Sequence, residues 1–219
     1  MKVIQNLVPT SKYNIKCPYP MTPEFIVVHN TANDASARNE VAYMIRNDNK
    51  VSFHYAVDDK EIVQGIPENR NAWHAGDGSN GPGNRKGIGI EICYSKSGGQ
   101  RFIEAEKLAA KFIAFKLKEK GWGINRVKKH QDFSGKYCPH RTLDMGWQRF
   151  LDMVKSELNK LKGADKVTDK NTPPSWAKEA WEWAKKEGIT DGTNPQEPAT
   201  REQVITMIHR TVKKFNLGV

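Results

Sequence analysis

Two spacings of apolar residues alternate along the first 161 positions and predict strands and helices in turn. Apolar runs rich in β-branched residues are typical of strands, and apolar residues three or four apart are typical of helices. The predicted strands are 25–29, 51–58, 61–63 and 88–93. The predicted helices are 36–47, 102–119 and 147–161. Gly121 marks the expected end of the second helix.

Glycine, proline and polar residues separate these elements and divide the chain. The glycine-rich segment 76–87 predicts a loop, and the polar segment 162–174, which ends in Pro-Pro, predicts a linker. Two short helices are expected beyond the linker, at about 175–187 and from Thr200 onward. Thr200 is followed three residues later by Gln203, which is the form of a capping box.

The order of these elements predicts an α/β fold, with a mixed central β-sheet flanked by helices and a small helical domain after it. We expect a main domain over 1–161, a linker over 162–174 and a second domain over 175–219. About 50 residues are marginal as a lone domain. The second domain is therefore expected to pack on the first or to pair with another copy.

The composition is that of a soluble globular protein, with 37% hydrophobic and 27% charged residues. No apolar run approaches the roughly 18 residues that cross a bilayer, and the first seven residues lack the apolar core of a secretory signal peptide. The three cysteines are odd in number and widely spaced, unlike a disulfide framework. These features predict synthesis in a reducing cytoplasm, with thiols free to bind metal.

The formal net charge is +10, and almost all of it belongs to the main domain. Residues 164–219 contain nine Lys or Arg and eight Asp or Glu, so the excess positive charge lies before them. A basic domain attracts polyanions such as nucleic acid, anionic lipid or cell-wall teichoic acid. No nucleic-acid-binding motif occurs, and no basic stretch is interleaved with aromatic residues. A nucleic-acid partner is therefore not expected.

Three residues at strand ends or in a loop have the chemistry of a zinc site. His29 ends the first predicted strand, His130 follows a short strand that contains Val127, and Cys138 lies eight residues further on. Two nitrogens and one sulfur leave the fourth tetrahedral position open, as in catalytic zinc sites. By spacing alone, the histidines are also compatible with packing roles, and Cys138 with a small buried residue.

A fourth residue, Glu91, interrupts an isoleucine-rich strand. Alternation places Glu91 on the opposite face of that strand from Ile90 and Ile92. Burying an unpaired carboxylate is costly, so Glu91 either faces solvent or belongs to a site that raises its pKa. The residue pattern alone leaves both interpretations open.

Five separated motifs follow one another in a single order. They are Val28-His29-Asn30-Thr31, Ser52-Phe53-His54-Tyr55, Ala72-Trp73-His74-Ala75-Gly76, Ile90-Glu91-Ile92, and His130 with Cys138-Pro139. This order resembles the type 2 N-acetylmuramoyl-L-alanine amidases, which share a fold with the peptidoglycan recognition proteins. The resemblance covers residues 1–160, and segments 81–85 and 135–140 look especially like amidase endolysins of Bacillus phages and prophages.

The resemblance implies a zinc enzyme that hydrolyses the amide bond between N-acetylmuramic acid and L-alanine in bacterial peptidoglycan. It implies zinc ligands at His29, His130 and Cys138, a catalytic glutamate at Glu91 and an oxyanion-stabilising lysine at Lys136. Such an enzyme would reach the wall after release from the bacterial cytoplasm. The alternative is a non-catalytic peptidoglycan-binding module. Relatives of that kind lack the third ligand, which is present here as Cys138.

Three further residues, Phe53, Trp73 and His74, are expected to line the substrate site. Many relatives have a tyrosine at the position of Phe53, so the role of that hydroxyl is absent here or moved elsewhere. His74 follows Trp73 just before the glycine-rich loop, which is compatible with a wall of the substrate site. His54 lies in a predicted strand and is expected to be packed.

Residues 170–213 resemble a single S-layer homology repeat. The matching features are Trp176-Ala177, Trp183, Gly188-Ile189-Thr190-Asp191-Gly192 and Thr200-Arg201-Glu202. The resemblance implies that 175–219 binds an anionic secondary cell-wall polymer. Such repeats usually act in threes, so self-association through this domain is the expected way to gather several copies. A docked helical hairpin is the alternative.

Overall fold

Six strands form one mixed β-sheet in the computed structural model, which describes residues 1–166 and 172–216. The strands are β1 (Ile4–Gln5), β2 (Phe25–Asn30), β3 (Tyr55–Val57), β4 (Ile62–Gln64), β5 (Gly87–Ile92) and β6 (Val127–Lys129). Their order across the sheet is β1-β4-β3-β5-β2-β6. β3 and β4 form an antiparallel hairpin, and every other neighbouring pair is parallel. The mixed sheet predicted from the sequence is confirmed.

Helices follow or precede most of the strands. In the first part of the chain they are α1 (Tyr13–Lys16), α2 (Ala37–Arg46), α3 (Pro82–Lys86), α4 (Gly99–Lys120), α5 (Gln131–Ser134), α6 (His140–Asp144) and α7 (Trp147–Lys166). α2 packs against β3 and β4, and α4 packs against β5 and β3. As predicted, α4 ends at Gly121, which adopts a left-handed conformation with φ of 68°.

The two faces of the sheet differ because β2 and β5 pair in register. Ile26 and Val28 pair with Ile88 and Ile90, and all four belong to the hydrophobic core. α4 and α7 complete this core with Phe102, Ala105, Ala109, Phe112, Ile113, Phe150, Val154 and Leu158. Each fully buried Phe, Ile, Val or Leu side chain contributes about 1.5–3 kcal/mol. The opposite face is left to carry polar residues.

Three predicted segments differ most from the observed elements, and the others agree to within about three residues. The predicted loop 76–87 contains α3, which begins with Pro82 at its first position and is capped by Asp77, whose carboxylate accepts hydrogen bonds from the amides of Gly83 and Asn84. The strand predicted over 51–58 is shorter, because the Ser52 amide donates to the carbonyl of Trp73, in a loop. α7 continues to Lys166, five residues past its apolar stripe.

The chain divides into two compact units, Met1–Lys162 and Gly163–Val219. The second unit contains α8 (Lys178–Lys186) and α9 (Arg201–Lys214). The predicted capping box is present: Gln203 N donates to the Thr200 hydroxyl at 3.3 Å, and Thr200 N donates to Gln203 Oε1 at 2.7 Å. Several apolar side chains of this unit are exposed, namely Trp176, Trp183, Val204, Ile205, Ile208 and Phe215.

No helix within residues 1–166 or 172–216 combines the length and the apolar character that a membrane crossing needs.

Candidate metal centre and cleft

Three side chains meet at one end of the parallel strands. His29 lies near the end of β2, and His130 directly follows its neighbour β6, so the parallel pairing brings the two rings together. Their Nδ1 atoms are 3.0 Å apart, and Cys138 Sγ lies 3.9 Å from His29 Nδ1. All three residues are buried, and their ligand atoms lie within 4.8 Å of one another. The three residues predicted as ligands therefore form one cluster.

The spacing of this cluster fits a zinc ion. At usual bond lengths, a tetrahedral zinc separates two nitrogen ligands by roughly 3.3 Å, and a nitrogen from a sulfur by roughly 3.6 Å. The separations between the His29 and His130 nitrogens and from His29 to Cys138 are within a few tenths of these values. Two imidazoles and one thiol also match the nitrogen and sulfur donors that zinc prefers.

Burial sets the protonation of these ligands. Burial is the main cause that lowers the pKa of His29 well below its ordinary value, and the charges of His74 and His130 lower it further. Burial, followed by Lys136, lowers the pKa of His130 as well. Burial, followed by Glu91, raises the pKa of the Cys138 thiol to about 11. The two imidazoles are therefore neutral and able to bind metal, whereas Cys138 must lose a proton first.

Glu91 lies beside this cluster, because it is the register partner of His29 on β5 and faces the same side of the sheet. Burial, followed by the charge of Glu40, raises the pKa of Glu91 to about 8. Its Oε2 atom is buried and has no hydrogen-bond partner in the described part of the chain. Since buried polar atoms are normally satisfied, this oxygen rules out the interpretation of Glu91 as a solvated surface residue and makes Glu91 a candidate site residue.

Lys136 stands at the open side of the cluster. A tight turn, in which Cys138 N donates to Lys136 O at 2.7 Å, places the lysine beside the cysteine. Its positive charge lowers the pKa of His29, His130 and Glu91. The ammonium therefore acts electrostatically on the whole cluster while remaining exposed to solvent.

The cluster lies in a cleft of about 940 Å³, which is within the usual size range of ligand sites. Phe53 and Trp73 line this cleft. Trp73 is fixed by a hydrogen bond from its indole Nε1 to the carbonyl of Ile15, at 2.9 Å. Polar residues of α2, namely Asn39, Glu40, Tyr43 and Arg46, also line the cleft.

His74 also borders the cleft, but its hydrogen bonds point into the protein. It is only 7% exposed, its Nδ1 lies 3.0 Å from His29 Nε2, and its Nε2 lies 3.1 Å from the carbonyl of Gly87. The expected wall residue is thus in direct contact with one of the cluster residues. His54 is fully buried, as expected from its strand-like surroundings.

Two buried asparagines support the site and were missed by the sequence analysis. Asn84 Oδ1 accepts hydrogen bonds from the amides of His74 and Ala75, both at 2.8 Å. Asn30 Oδ1 accepts from the amides of Arg141 and Thr142, which ties the end of β2 to the segment after Cys138. In sequence, an asparagine beside glycine or threonine is typical of a turn, so neither residue gave a distinct signal.

A buried lysine holds the rim of the cleft. Lys16 has no exposed surface, and its ammonium donates to Asn47 Oδ1 at 2.8 Å, to the Asn49 carbonyl at 2.6 Å and to the Val51 carbonyl at 3.2 Å. Asn47, Asn49 and Val51 line the cleft. Burial, followed by the charge of Lys12, lowers the pKa of Lys16. The 47–51 loop thus wraps around the Lys16 ammonium, which holds the loop in place.

The sequence profile of the N-acetylmuramoyl-L-alanine amidase family Amidase_2 matches residues 19–141, a range that includes the whole cluster. The chain belongs to this family. The amidase CwlA of Bacillus subtilis (strain 168) is 63% identical over 164 residues, which are 74% of this chain and 60% of that protein. The amidase XlyB of the same strain is 62% identical over 158 residues, covering 72% and 50%.

This amidase-family chain thus spans one half to three fifths of the length of those two relatives. Among solved structures, that of PlyL superposes with a TM-score of 0.68 at 55% identity, covering 70% of this chain and 97% of PlyL. The amidase fold expected for the main domain is therefore confirmed.

Proposed function

We propose that this amidase-family chain is a zinc-dependent hydrolase of bacterial peptidoglycan, which cleaves the amide bond between N-acetylmuramic acid and L-alanine. One observation carries the proposal: His29, His130 and Cys138 form a buried cluster, with the unpartnered carboxylate oxygen of Glu91 beside it. The names of the Bacillus relatives support the choice of bond.

The three ligands, Glu91 and Lys136 each have a definite task in the proposed reaction. His29, His130 and Cys138 would hold the zinc ion, which would supply Lewis acidity toward the scissile carbonyl and a water molecule. Glu91 takes a proton from the attacking water and passes it to the departing amine of L-alanine. The Lys136 ammonium stabilises the negative charge that develops on the carbonyl oxygen. The products are a lactyl carboxylate on the glycan strand and a free stem peptide.

The walls of the cleft bind and orient the substrate. Phe53 and Trp73 contribute aromatic surface to the cleft, and α2 contributes polar side chains. The excess positive charge before residue 164 favours approach to an anionic wall. In this proposal the enzyme is made in the bacterial cytoplasm and acts on the wall after its release.

The proposal extends to the second unit as a wall anchor that binds an anionic secondary cell-wall polymer through residues 175–219. This unit contains a cavity of about 490 Å³, but three carboxylates (Asp191, Glu197 and Glu202) and one cation (Arg210) line it, so the anchor rests on the resemblance to S-layer homology repeats rather than on this cavity. The exposed apolar residues Val204, Ile205 and Ile208 on α9 support self-association as the means of gathering several copies.

Digestion of purified Bacillus-type peptidoglycan tests the catalytic part of the proposal. Wild-type protein and Glu91→Gln are compared with and without a chelator, and the fragments are identified by mass spectrometry. We expect free stem peptides with a new N-terminal L-alanine only from metal-loaded wild type. Cleavage that survives chelation would remove the zinc mechanism. Wall binding without fragments from several wall types would favour the non-catalytic module.

Two measurements test the anchor. If α9 mediates self-association, sedimentation velocity should show a lower molecular mass for the double variant Ile205→Asp, Ile208→Asp than for wild type. Co-sedimentation with cell walls, before and after chemical removal of their secondary polymer, should show binding that depends on the polymer. Equal binding to both wall preparations would contradict the anchor.

A further inference from the structure

Four histidines stand in a row behind and within the proposed metal centre. Successive ring centroids are 5.9 Å apart from His54 to His74, 5.0 Å from His74 to His29, and 4.8 Å from His29 to His130. The proposed reaction uses His29 and His130 as ligands and leaves the other two without a task. His74 is the one of these two that contacts a ligand.

The hydrogen bonds along this row have a fixed direction, which begins at a main-chain carbonyl. The carbonyl oxygen of Gly87 can only accept, so His74 Nε2 must carry a hydrogen and donate it. In a neutral imidazole the other nitrogen is then a bare acceptor, so His74 Nδ1 must accept from His29 Nε2. His29 is therefore protonated on Nε2 and bare on Nδ1.

The bare nitrogen of His29 is the one that the cluster needs. His29 Nδ1 is the atom that lies 3.0 Å from His130 Nδ1 and 3.9 Å from Cys138 Sγ. A metal binds imidazole through an unprotonated nitrogen, and the partner of the other ring nitrogen decides which tautomer is present. The carbonyl of Gly87 thus determines, through the ring of His74, which ring nitrogen of His29 is unprotonated and able to bind a metal.

We infer that His74 is a positioning residue that holds His29 as its Nε2–H tautomer and so prepares His29 Nδ1 as a metal ligand. This inference rests on the proposed function, because it concerns the same cluster. In this inference His74 positions the metal ligand His29, instead of lining the substrate site as the sequence suggested.

The surroundings of His74 are arranged to hold its ring in place. Asn84 fixes the backbone of His74, and Gly89 leaves the ring room to lie against β5. His29 is the ligand whose second ring nitrogen bonds to another buried histidine.

Three variants of the full chain separate positioning from packing. His74→Leu removes the acceptor for His29 Nε2. His74→Asn keeps an acceptor, because its Oδ1 lies as many bonds from Cα as Nδ1 does in histidine. His54→Leu is the matched control, since it removes a buried ring of the same row that bonds only to the main chain.

Zinc affinity is measured by competition with a chromophoric chelator, and the His29 tautomer of the metal-free proteins by imidazole nitrogen NMR. We expect His74→Leu to weaken zinc binding about 10–100-fold and to give His29 a mixed tautomer. His74→Asn and His54→Leu should stay close to wild type in both readouts. Thermal unfolding of each metal-free variant shows whether it is folded.

Several outcomes would overturn the inference. These are a wild-type His29 protonated on Nδ1, a His74→Leu variant with wild-type affinity and tautomer, or equal losses in His54→Leu and His74→Leu. If wild type binds no zinc, the proposed function fails instead. The tautomer of metal-free wild type and His74→Leu still decides the inference in that case.

Discussion

The α-carbon of Gly89 lies directly against the ring of His74, so that a Cβ atom at position 89 would stand 2.7 Å from His74 Cδ2 and 2.8 Å from Cγ. Contacts this short between carbon atoms do not occur in folded proteins, so one of the two groups would have to move. Gly89 faces the polar side of the sheet, on the same side as Glu91 two residues later. The absence of a side chain at Gly89 therefore makes the space in which His74 contacts His29.

Gly89→Ala is expected to displace the His74 ring and to weaken both folding and zinc binding. Overpacking of this kind costs about 1–3 kcal/mol of unfolding free energy, which urea denaturation measures. Gly163→Ala is the matched control, because a Cβ there meets nothing within 4 Å. The control should be neutral or slightly stabilising, since alanine favours helix over glycine. Equal behaviour of the two variants would contradict the assigned contact.

Glu91→Gln is expected to abolish most of the hydrolysis while leaving zinc affinity and thermal stability close to wild type. The amide keeps the shape of the carboxylate but cannot accept a proton from water. Loss of a general base lowers the rate by about 10²–10⁴-fold, measured as kcat/KM on a soluble muramoyl peptide. Retention of more than a tenth of the wild-type rate would remove Glu91 from the proposed role.

Glu40→Gln is expected to shift the pH dependence of the reaction. A base works in its ionised form, so the rate rises with pH through the pKa of Glu91. After burial, the charge of Glu40 is the main cause that raises this pKa. Removing that charge lowers the pKa, so the acid limb of the kcat/KM profile should move to lower pH. A shift to higher pH, or none, would contradict this coupling.

Zinc uptake at neutral pH is expected to release a proton from Cys138. With a pKa of about 11 the thiol is protonated at pH 7 and must ionise to bind. This proton makes zinc affinity rise about tenfold for each unit of pH. Calorimetry in buffers of different ionisation enthalpy counts the protons. Cys138→Ala should release one fewer, whereas Cys17→Ala, at a buried cysteine outside the cluster, should match wild type.

Acid stability is expected to depend on Glu68, which accepts hydrogen bonds or ion pairs from Tyr55, Lys116 and Lys120, each at 2.7 Å. Burial raises the pKa of Glu68, but Lys116, Lys120 and Tyr55 outweigh it and lower the pKa to about 2. Because the folded pKa lies below the ordinary 4.5, the stabilisation is complete above pH 4.5 and is lost as pH falls towards 2.

Glu68→Gln should therefore be less stable than wild type at pH 7, by at most about 3 kcal/mol, and the difference should vanish near pH 2. Urea denaturation at a series of pH values measures both. Glu104→Gln, which removes an exposed ion pair with Lys107, should change little at any pH. A constant difference across the whole series would contradict the assigned ionisation.

The sequence predicted the elements and the cluster residues better than it predicted their partners. His29 and Glu91 stood out because each interrupts or ends an apolar run, and alternation placed Glu91 on the polar face correctly. That they are register partners depends on the pairing of two strands about 60 residues apart, which no local pattern encodes.

The local sequence pattern did not predict the contacts of His74 or the presence of α3. His74 was assigned to a wall from its neighbours in sequence, while its two hydrogen bonds run to His29 and Gly87, which are distant along the chain. α3 was hidden by the five glycines of the segment 76–87 and is stabilised by a side-chain cap from Asp77, five positions before Pro82. A long-range hydrogen bond in the first case, and a side-chain hydrogen bond within the loop in the second, outweigh local composition.

The hydrogen bonds of the Lys16 ammonium at the mouth of the cleft are less sensitive to salt than exposed ion pairs are. Dissolved ions screen charges on a protein surface over about 8 Å at physiological ionic strength. Lys16 is shut away from those ions, and the groups that hold it are uncharged amide oxygens. The hydrogen bonds from Lys16 to the 47–51 loop should therefore persist at low and high salt alike, whereas the exposed ion pair between Lys12 and Asp48 of the same loop should weaken as salt rises.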